Sequence, residues 1–204
     1  MDEANRTALV LAVSETLNLT EAEAEARLEL AVDDHSSAKG RSSIYGAALS
    51  LGVSDLIIAQ HQKKIVRPEQ ILSPDSILSA LLEKLSESAC LALLTNTRTS
   101  IARRALSALG INKITFSHVY GGDMLVQPKP SSEDILKLCR AMSVAPGETV
   151  SIGDRWGVDL QPALNAGLMI RKVRDRDDLV EWLQKLLAVR QEEAPPSGIR
   201  ASDT

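Results

Sequence analysis

The 204-residue chain carries 27 acidic against 23 basic residues, a formal charge of −4, with 44% apolar and 25% charged residues; this is the balance of a globular protein with a real core and no polyanionic partner. Two Trp, two Tyr and one Phe are too few for the stacking platforms that single-stranded nucleic acid requires, or for a carbohydrate cleft. Cys90 and Cys139 stand apart and His35, His61 and His118 share no zinc-ligand spacing, which argues against zinc and for a reducing cytoplasm. No apolar run reaches membrane-span length, and Met1-Asp2-Glu3 is no secretory or transit signal.

The first third reads as helix. Residues 6–17 set Leu9, Val13 and Leu17 on one face at intervals of four. Asn18-Leu19-Thr20 interrupts that pattern, and Thr20 with Glu23 forms a capping box for a second helix to about residue 32. Its Glu21, Glu23, Glu25 and Glu29 read as a solvated face near the positive end of the helix. The polar stretch 33–43, with Gly40, reads as a loop. Short helices are predicted at 44–51 and 55–62, a turn between Pro68 and Pro74, and an amphipathic helix at 76–85.

From Ala89 the pattern changes. Strands are predicted at 89–94, 114–120, 149–152 and 168–173. Between and after them lie helices at 100–109, 133–142, 158–165 and 177–189, the first stopped by Gly110. The tail 191–204, with Pro195 and Pro196, is expected to be disordered. Strand–helix alternation at this spacing implies an α/β fold with a parallel sheet and right-handed crossovers. Ligands of such sheets sit at the carboxyl ends of the strands, which singles out Thr95-Asn96-Thr97, Gln127-Pro128-Lys129-Pro130 and Gly153-Asp154.

At these ends, Thr95 offers a hydroxyl beside the amides of Asn96 and Thr97, a small anion nest. Lys129 stands between two prolines that restrict the chain and aim its ammonium. Asp154 and Asp159 are two carboxylates spaced across the entry to a helix, a plausible hard-cation pair. Together these groups suit a phosphoryl group bridged by Mg²⁺. Taken singly, each has a plainer reading: Thr95 as a local cap, Lys129 as a solvated lysine, Asp154 as an N-cap. Arg98 and Arg155-Trp156 sit at the rim, where surface or packing roles are the simpler reading.

In their order these segments resemble the core of the haloacid dehalogenase (HAD) superfamily. ACLALLTNT resembles its second motif, ending at Thr95, and the KP of QPKPSSEDI its third, carried by Lys129. VSIGDRWGVDLQPALNAGL resembles the fourth, with Asp154 and Asp159 in G-D-x-x-x-x-D. The helical segment before Ser73-Pro74-Asp75 resembles the cap of the pyrimidine 5′-nucleotidase-like phosphatases. The resemblance implies a HAD-like Rossmannoid parallel sheet with a small helical cap: residues 1–75 as cap region, 76–190 as core, 191–204 as tail. It also implies Mg²⁺-dependent hydrolysis of a small phosphorylated metabolite. Thr95 and Asn96 would bind the phosphoryl group, Lys129 would neutralise it, and Asp154 and Asp159 would serve the metal.

The family's first motif, D-x-D-x-[TV], supplies the nucleophile and the general acid, and it does not occur in these residues. Asp33-Asp34-His35 lacks its spacing. Either residues 6–17 are a cap helix and the motif-one strand would lie ahead of Met1, or residues 9–17 are an eroded motif-one strand, with Ala12 and Ser14 in the aspartate positions. Both accounts leave the chain without a nucleophile and with weakened metal binding. The first also expects unpaired strand edges, because the family places that strand centrally. The reading is therefore a HAD phosphatase-like protein of impaired activity; the alternative is a non-catalytic protein that binds a phosphorylated ligand.

Overall fold

A computed structural model of the chain describes residues 2–39, 44–124 and 131–193. Four helices open it: α1 (Asp2–Leu17), α2 (Glu21–Lys39), α3 (Ile44–Ser50) and α4 (Asp55–Ile65). Leu9 and Val13 of α1 are fully buried with Leu28 of α2, Ala47 and Ala48 of α3 and Ile58 of α4. Alanines at these contacts let the helices approach closely enough for the larger side chains to interlock. Leu17, expected on the same buried face, is 36% exposed because it ends its helix. The capping box forms as the sequence predicts: the Thr20 amide donates to Glu23 Oε2 at 2.9 Å, and the Glu23 amide donates back to Thr20 Oγ1 at 3.3 Å.

Two sequence expectations fail in this region. Residues 9–17 lie within α1, so the eroded-strand reading is wrong; the apolar positions there recur at helical spacing, and α2 and α4 cover them. The loop expected at 33–43 is helix as far as Lys39, since neither Gly nor Pro interrupts before Gly40; residues 40–43 lie outside the described residues.

A one-turn helix, α5 (Pro68–Ile71), stands where the sequence suggests only a turn, and Pro68 supplies its preset first position. Next come α6 (Ser76–Ser86), β1 (Ala92–Leu94), α7 (Thr99–Ala108) and β2 (His118–Tyr120). They are followed by α8 (Ser132–Ala141), β3 (Val150–Gly153), α9 (Gln161–Asn165), β4 (Met169–Lys172) and α10 (Arg176–Glu193). Gly110 closes α7 with φ of +77°, the left-handed geometry its position requires. The strands are shorter than predicted. Before β2, the Thr115 amide donates to Asn112 O and turns residues 112–115 away from the sheet. The helix expected at 158–165 begins instead as a π turn over Trp156–Leu160. Helix α10 continues to Glu193, past the predicted end at 189; the rest of the expected tail, 194–204, lies outside the described residues.

Strand pairing is parallel throughout. β1 pairs with β2 (Leu93 opposite Val119) and β3 with β4 (Ile152 opposite Arg171), as two two-stranded sheets rather than one. Common helices pack against strands of both pairs. Leu94 of β1 and Ile170 of β4 pack against one cluster built on Ile135 and Cys139 of α8 and Ala163 of α9. On a second cluster, Leu85 of α6 joins Leu183 and Leu187 of α10, and Leu91 packs against it at the head of β1.

Candidate functional site at the carboxyl edge

β1 is followed directly by Thr95, whose amide donates to Tyr120 O at 3.0 Å. The Thr95 hydroxyl accepts from the Thr97 amide at 3.1 Å and so closes the turn that follows the strand. Here the plainer reading, a local cap, is what the hydroxyl does, while Asn96 beside it is exposed. Lys129 lies outside the described residues.

β3 ends at Gly153 and delivers Asp154, whose side chain is 67% exposed. The π turn then brings the chain back, with the Asp159 amide on Arg155 O at 2.8 Å. Asp159 Oδ2 accepts from the Arg155 amide at 3.3 Å and stands 3.5 Å from Arg155 Nε. The Asp159 side chain is 8% exposed and presses so closely on the strand that a Cβ at Gly153 would stand 2.5 Å from Asp159 Cβ. The G-D-x-x-x-x-D spacing thus buries its second carboxylate beneath the strand end and leaves the first in solvent.

Between the helical bundle and this edge lies a small polar pocket lined by Tyr45, Gln62, Asn96, Arg98, Gly122 and Asp123. Arg98 is its hub. Its guanidinium makes a bidentate pair with Asp55 of α4, with Nη1 on Oδ2 at 3.1 Å and Nη2 on Oδ1, while Nε donates to Gln62 Oε1 at 3.1 Å. Gln62 in turn donates to Asn5 at the start of α1 at 2.6 Å, and the Tyr45 hydroxyl donates to Asp55. From the core side, Asp123 Oδ1 accepts from the amide and hydroxyl of Thr99 at 2.7 and 2.8 Å. The hydrogen bond from Arg98 holds the Asp55 carboxyl below its ordinary range, against the effect of burial. Burial, with Asp55 alongside, pushes the Tyr45 phenol up to about 12.

Of the residues that the sequence singles out, this pocket collects Asn96 and the rim residue Arg98; Thr95, Asp154 and Asp159 line no part of it. Arg98 is a connecting residue rather than rim decoration. Sequence reasoning did not find Tyr45, Asp55, Gln62 and Asp123, because they come from separate helices and loops and share no spacing.

Asp154 and Asp159 are two carboxylates close to the end of β3, one exposed and one buried. Among the described residues no group of three or more Asp, Glu, His or Cys converges, and Mg²⁺ takes six oxygens in near-octahedral order. These side chains alone do not make up a magnesium site.

Parallel strands crossed by helices, polar groups at their carboxyl ends and a helical bundle against that edge define a Rossmann-like α/β protein with an added helical unit. The chain belongs to the haloacid dehalogenase-like hydrolases: that family's model matches residues 7–167. It is 30% identical to the N-acylneuraminate-9-phosphatase of Mus musculus over 105 residues, which is 52% of this chain and 42% of that protein. Against the Homo sapiens protein of the same name the figures are 32% over 91 residues, 45% and 36%. The chain thus matches about two fifths of the length of these curated relatives. In fold it is similar to a HAD phosphatase from Thermococcus onnurineus, with a TM-score of 0.59, 20% identity and 89% and 87% of the two chains covered. A magnesium-bound HAD-hydrolase structure from Bacillus subtilis gives 0.55, 16%, 90% and 92%. The relation is to HAD-family phosphatases and the fold is theirs. No helix among the described residues is long and apolar enough to cross a membrane.

Proposed function

We propose that the chain is a HAD phosphatase-like protein that holds a small phosphorylated molecule at the carboxyl ends of β1 and β3, and that these residues by themselves lack the nucleophile to hydrolyse it. Residues 1–75 act as the cap and 76–190 as the core. One observation carries the second half of this reading. D-x-D-x-[TV] occurs nowhere in the sequence, and the segment that could be laid on it, residues 9–17, is helix, with Ala12 and Ser14 at the aspartate positions. Loss of a covalent nucleophile lowers turnover by several orders of magnitude, leaving binding and electrostatics.

In the binding role, the Thr95 hydroxyl and the Asn96 side chain donate to phosphate oxygens, and Lys129 neutralises their charge. Asp154 and Asp159 would need phosphate oxygens and water to complete a magnesium shell. The mouse and human relatives are named as phosphatases of N-acylneuraminate 9-phosphate, so a phosphorylated sugar acid stands first among the probes. A reducing cytoplasm suits the two free thiols, exposed Cys90 and buried Cys139.

The test is thermal melting with inorganic phosphate and with N-acylneuraminate 9-phosphate, beside turnover of p-nitrophenyl phosphate. A ligand at tenfold its Kd adds about 1.4 kcal/mol of stability, and that gain should vanish in Lys129→Ala. Absence of any shift with either compound sinks the binding reading; sustained hydrolysis by the purified chain sinks the missing-nucleophile reading.

A further inference from the structure

The turn after β1 is clamped by the turn after β2, and one carboxylate closes the clamp. Helix α7 starts at Thr99, but Arg98 before it makes no side-chain cap, because its guanidinium is committed to Asp55 and Gln62. The first amide of a helix has no partner within the helix. Asp123 supplies one from a distant loop: its Oδ1 accepts from the Thr99 amide at 2.7 Å and from the Thr99 hydroxyl at 2.8 Å. The same hydroxyl accepts from the Gly121 amide at 3.1 Å, and the Gly122 amide donates to Thr97 O at 3.1 Å. With the Thr95 amide on Tyr120 O at 3.0 Å, these bonds stitch residues 95–99 to residues 120–123.

Gly121 and Gly122 make the close approach possible. A Cβ at Gly121 would stand 2.2 Å from Thr99 N, and one at Gly122 would stand 2.4 Å from Asn96 O. Neither glycine has a positive φ, so the clamp uses their lack of bulk rather than their conformational freedom. Within the turn itself, the Thr95 hydroxyl accepts from the Thr97 amide at 3.1 Å. That bond sets the local shape of the turn but not its place relative to the strands. An anion nest works when its donors are held in place before the ligand arrives.

We infer that Asp123 is the positioning residue of the anion-binding turn: by capping α7 from the β2 side, it holds Thr95, Asn96 and Thr97 where they can take a phosphate. This role rests on the phosphate-binding reading and names the residue that holds its donors in place. A contribution through charge would have the opposite sign. Asp123 lines the same pocket as Asn96, where a carboxylate repels an anion, and Arg98 Nη1, 3.9 Å from Asp123 Oδ2, is already paired with Asp55. Removing the carboxylate strengthens phosphate binding if its field is what matters, and weakens it if its bonds are.

The test sets Asp123→Ala beside Asp123→Asn, whose amide oxygen still accepts from Thr99, and Thr99→Val, which keeps the amide bond and drops the hydroxyl. Amide hydrogen exchange in the ligand-free proteins follows the clamp, and calorimetric titration with inorganic phosphate follows the site. Asp123→Ala should speed exchange at Thr99 and Gly122 by about tenfold or more, the scale of a local opening, and leave Leu93 and Leu94 of β1 unchanged. It should also weaken phosphate binding by about tenfold, the scale on which hydrogen bonds supporting a ligand set act. Asp123→Asn should restore the parent's values although it removes the charge. Thr99→Val should move both readouts the same way by a smaller step, and it carries the test if Asp123→Ala does not fold. A lower melting midpoint in Asp123→Ala with unchanged phosphate affinity shows a merely structural role and overturns the proposal, as does tighter binding by that variant. Faster exchange in Asp123→Ala, with no phosphate binding by the parent, overturns the phosphate-binding reading and the positioning role with it, while the clamp itself stands.

Discussion

Arg98 keeps 11% of its side chain exposed while it holds Asp55 and Gln62 across from the helical bundle. Its value lies in the planar fork, which matches the carboxylate with two bonds and still leaves Nε for Gln62; an ammonium has no such geometry. Arg98→Lys should cost about 1–3 kcal/mol, the scale of hydrogen bonds to charged groups, as measured by urea denaturation; a variant as stable as the parent would remove Arg98 from its role as the hub. Gly153 makes the opposite kind of demand, for absence of bulk. With Asp159 Cβ 2.5 Å from where its own Cβ would be, Gly153→Ala must displace the carboxylate or the strand end. About 1–3 kcal/mol is expected from such overpacking, and a neutral result in the same denaturation series would show that the π turn moves freely.

Among the elements, α6 and α10 show how one carboxylate can serve two purposes. Asp75 caps α6 by accepting from the Leu78 amide at 3.0 Å, and it receives Nε and Nη2 of Arg176, at the head of α10, at 2.7 Å each. Arg176 first, and the Leu78 amide after it, hold the Asp75 carboxyl at about 2 instead of the usual 3.8. Above the ordinary value the group is ionised in folded and unfolded chains alike and its contribution is complete. As the pH falls from about 4 toward about 2 the unfolded chain takes up the proton first, so stability drains away through that window and is lost below it. Asp75→Asn should be less stable than the parent at neutral pH and should flatten the decline between those limits; parallel curves for the two proteins would refute the linkage.

At the scale of the molecule, two kinds of apolar cluster share the work. The bundle of α1–α4 closes on Leu9, Leu28 and Ile58, and the α/β half closes on Leu183 with Leu85 and Leu187. Both Leu9 and Leu183 are fully buried. Leu9→Ala and Leu183→Ala should each cost about 2–5 kcal/mol by the combined loss of burial and cavity formation. Because the bonds of Arg98 tie the halves together, a single transition by fluorescence and circular dichroism is expected for both variants; two resolved transitions would mean that the halves unfold independently.

Local chemistry was readable from the residues alone. Thr20 and Glu23 announced their capping box, Gly110 its helix stop, and the alternation after Ala89 a parallel α/β fold with Thr95, Asn96, Asp154 and Asp159 at strand ends. Those signals act over a few residues, so spacing carries them. The reach of α2 to Lys39, the short strands and the π turn were not readable, since each depends on what the neighbouring segments leave room for.

The sequence by itself determined the order of helices and strands, the polar carboxyl edge and the lack of a D-x-D-x-[TV] motif, because propensity, capping and motif content are properties of adjacent residues. Only the tertiary structure decided that residues 9–17 are helix, that Arg98 joins Asp55 and Gln62 across from the core, and that the sheet divides between β1 and β3. Pairing of strands and burial of charges depend on partners distant in the chain, and only the folded packing shows which partners those are.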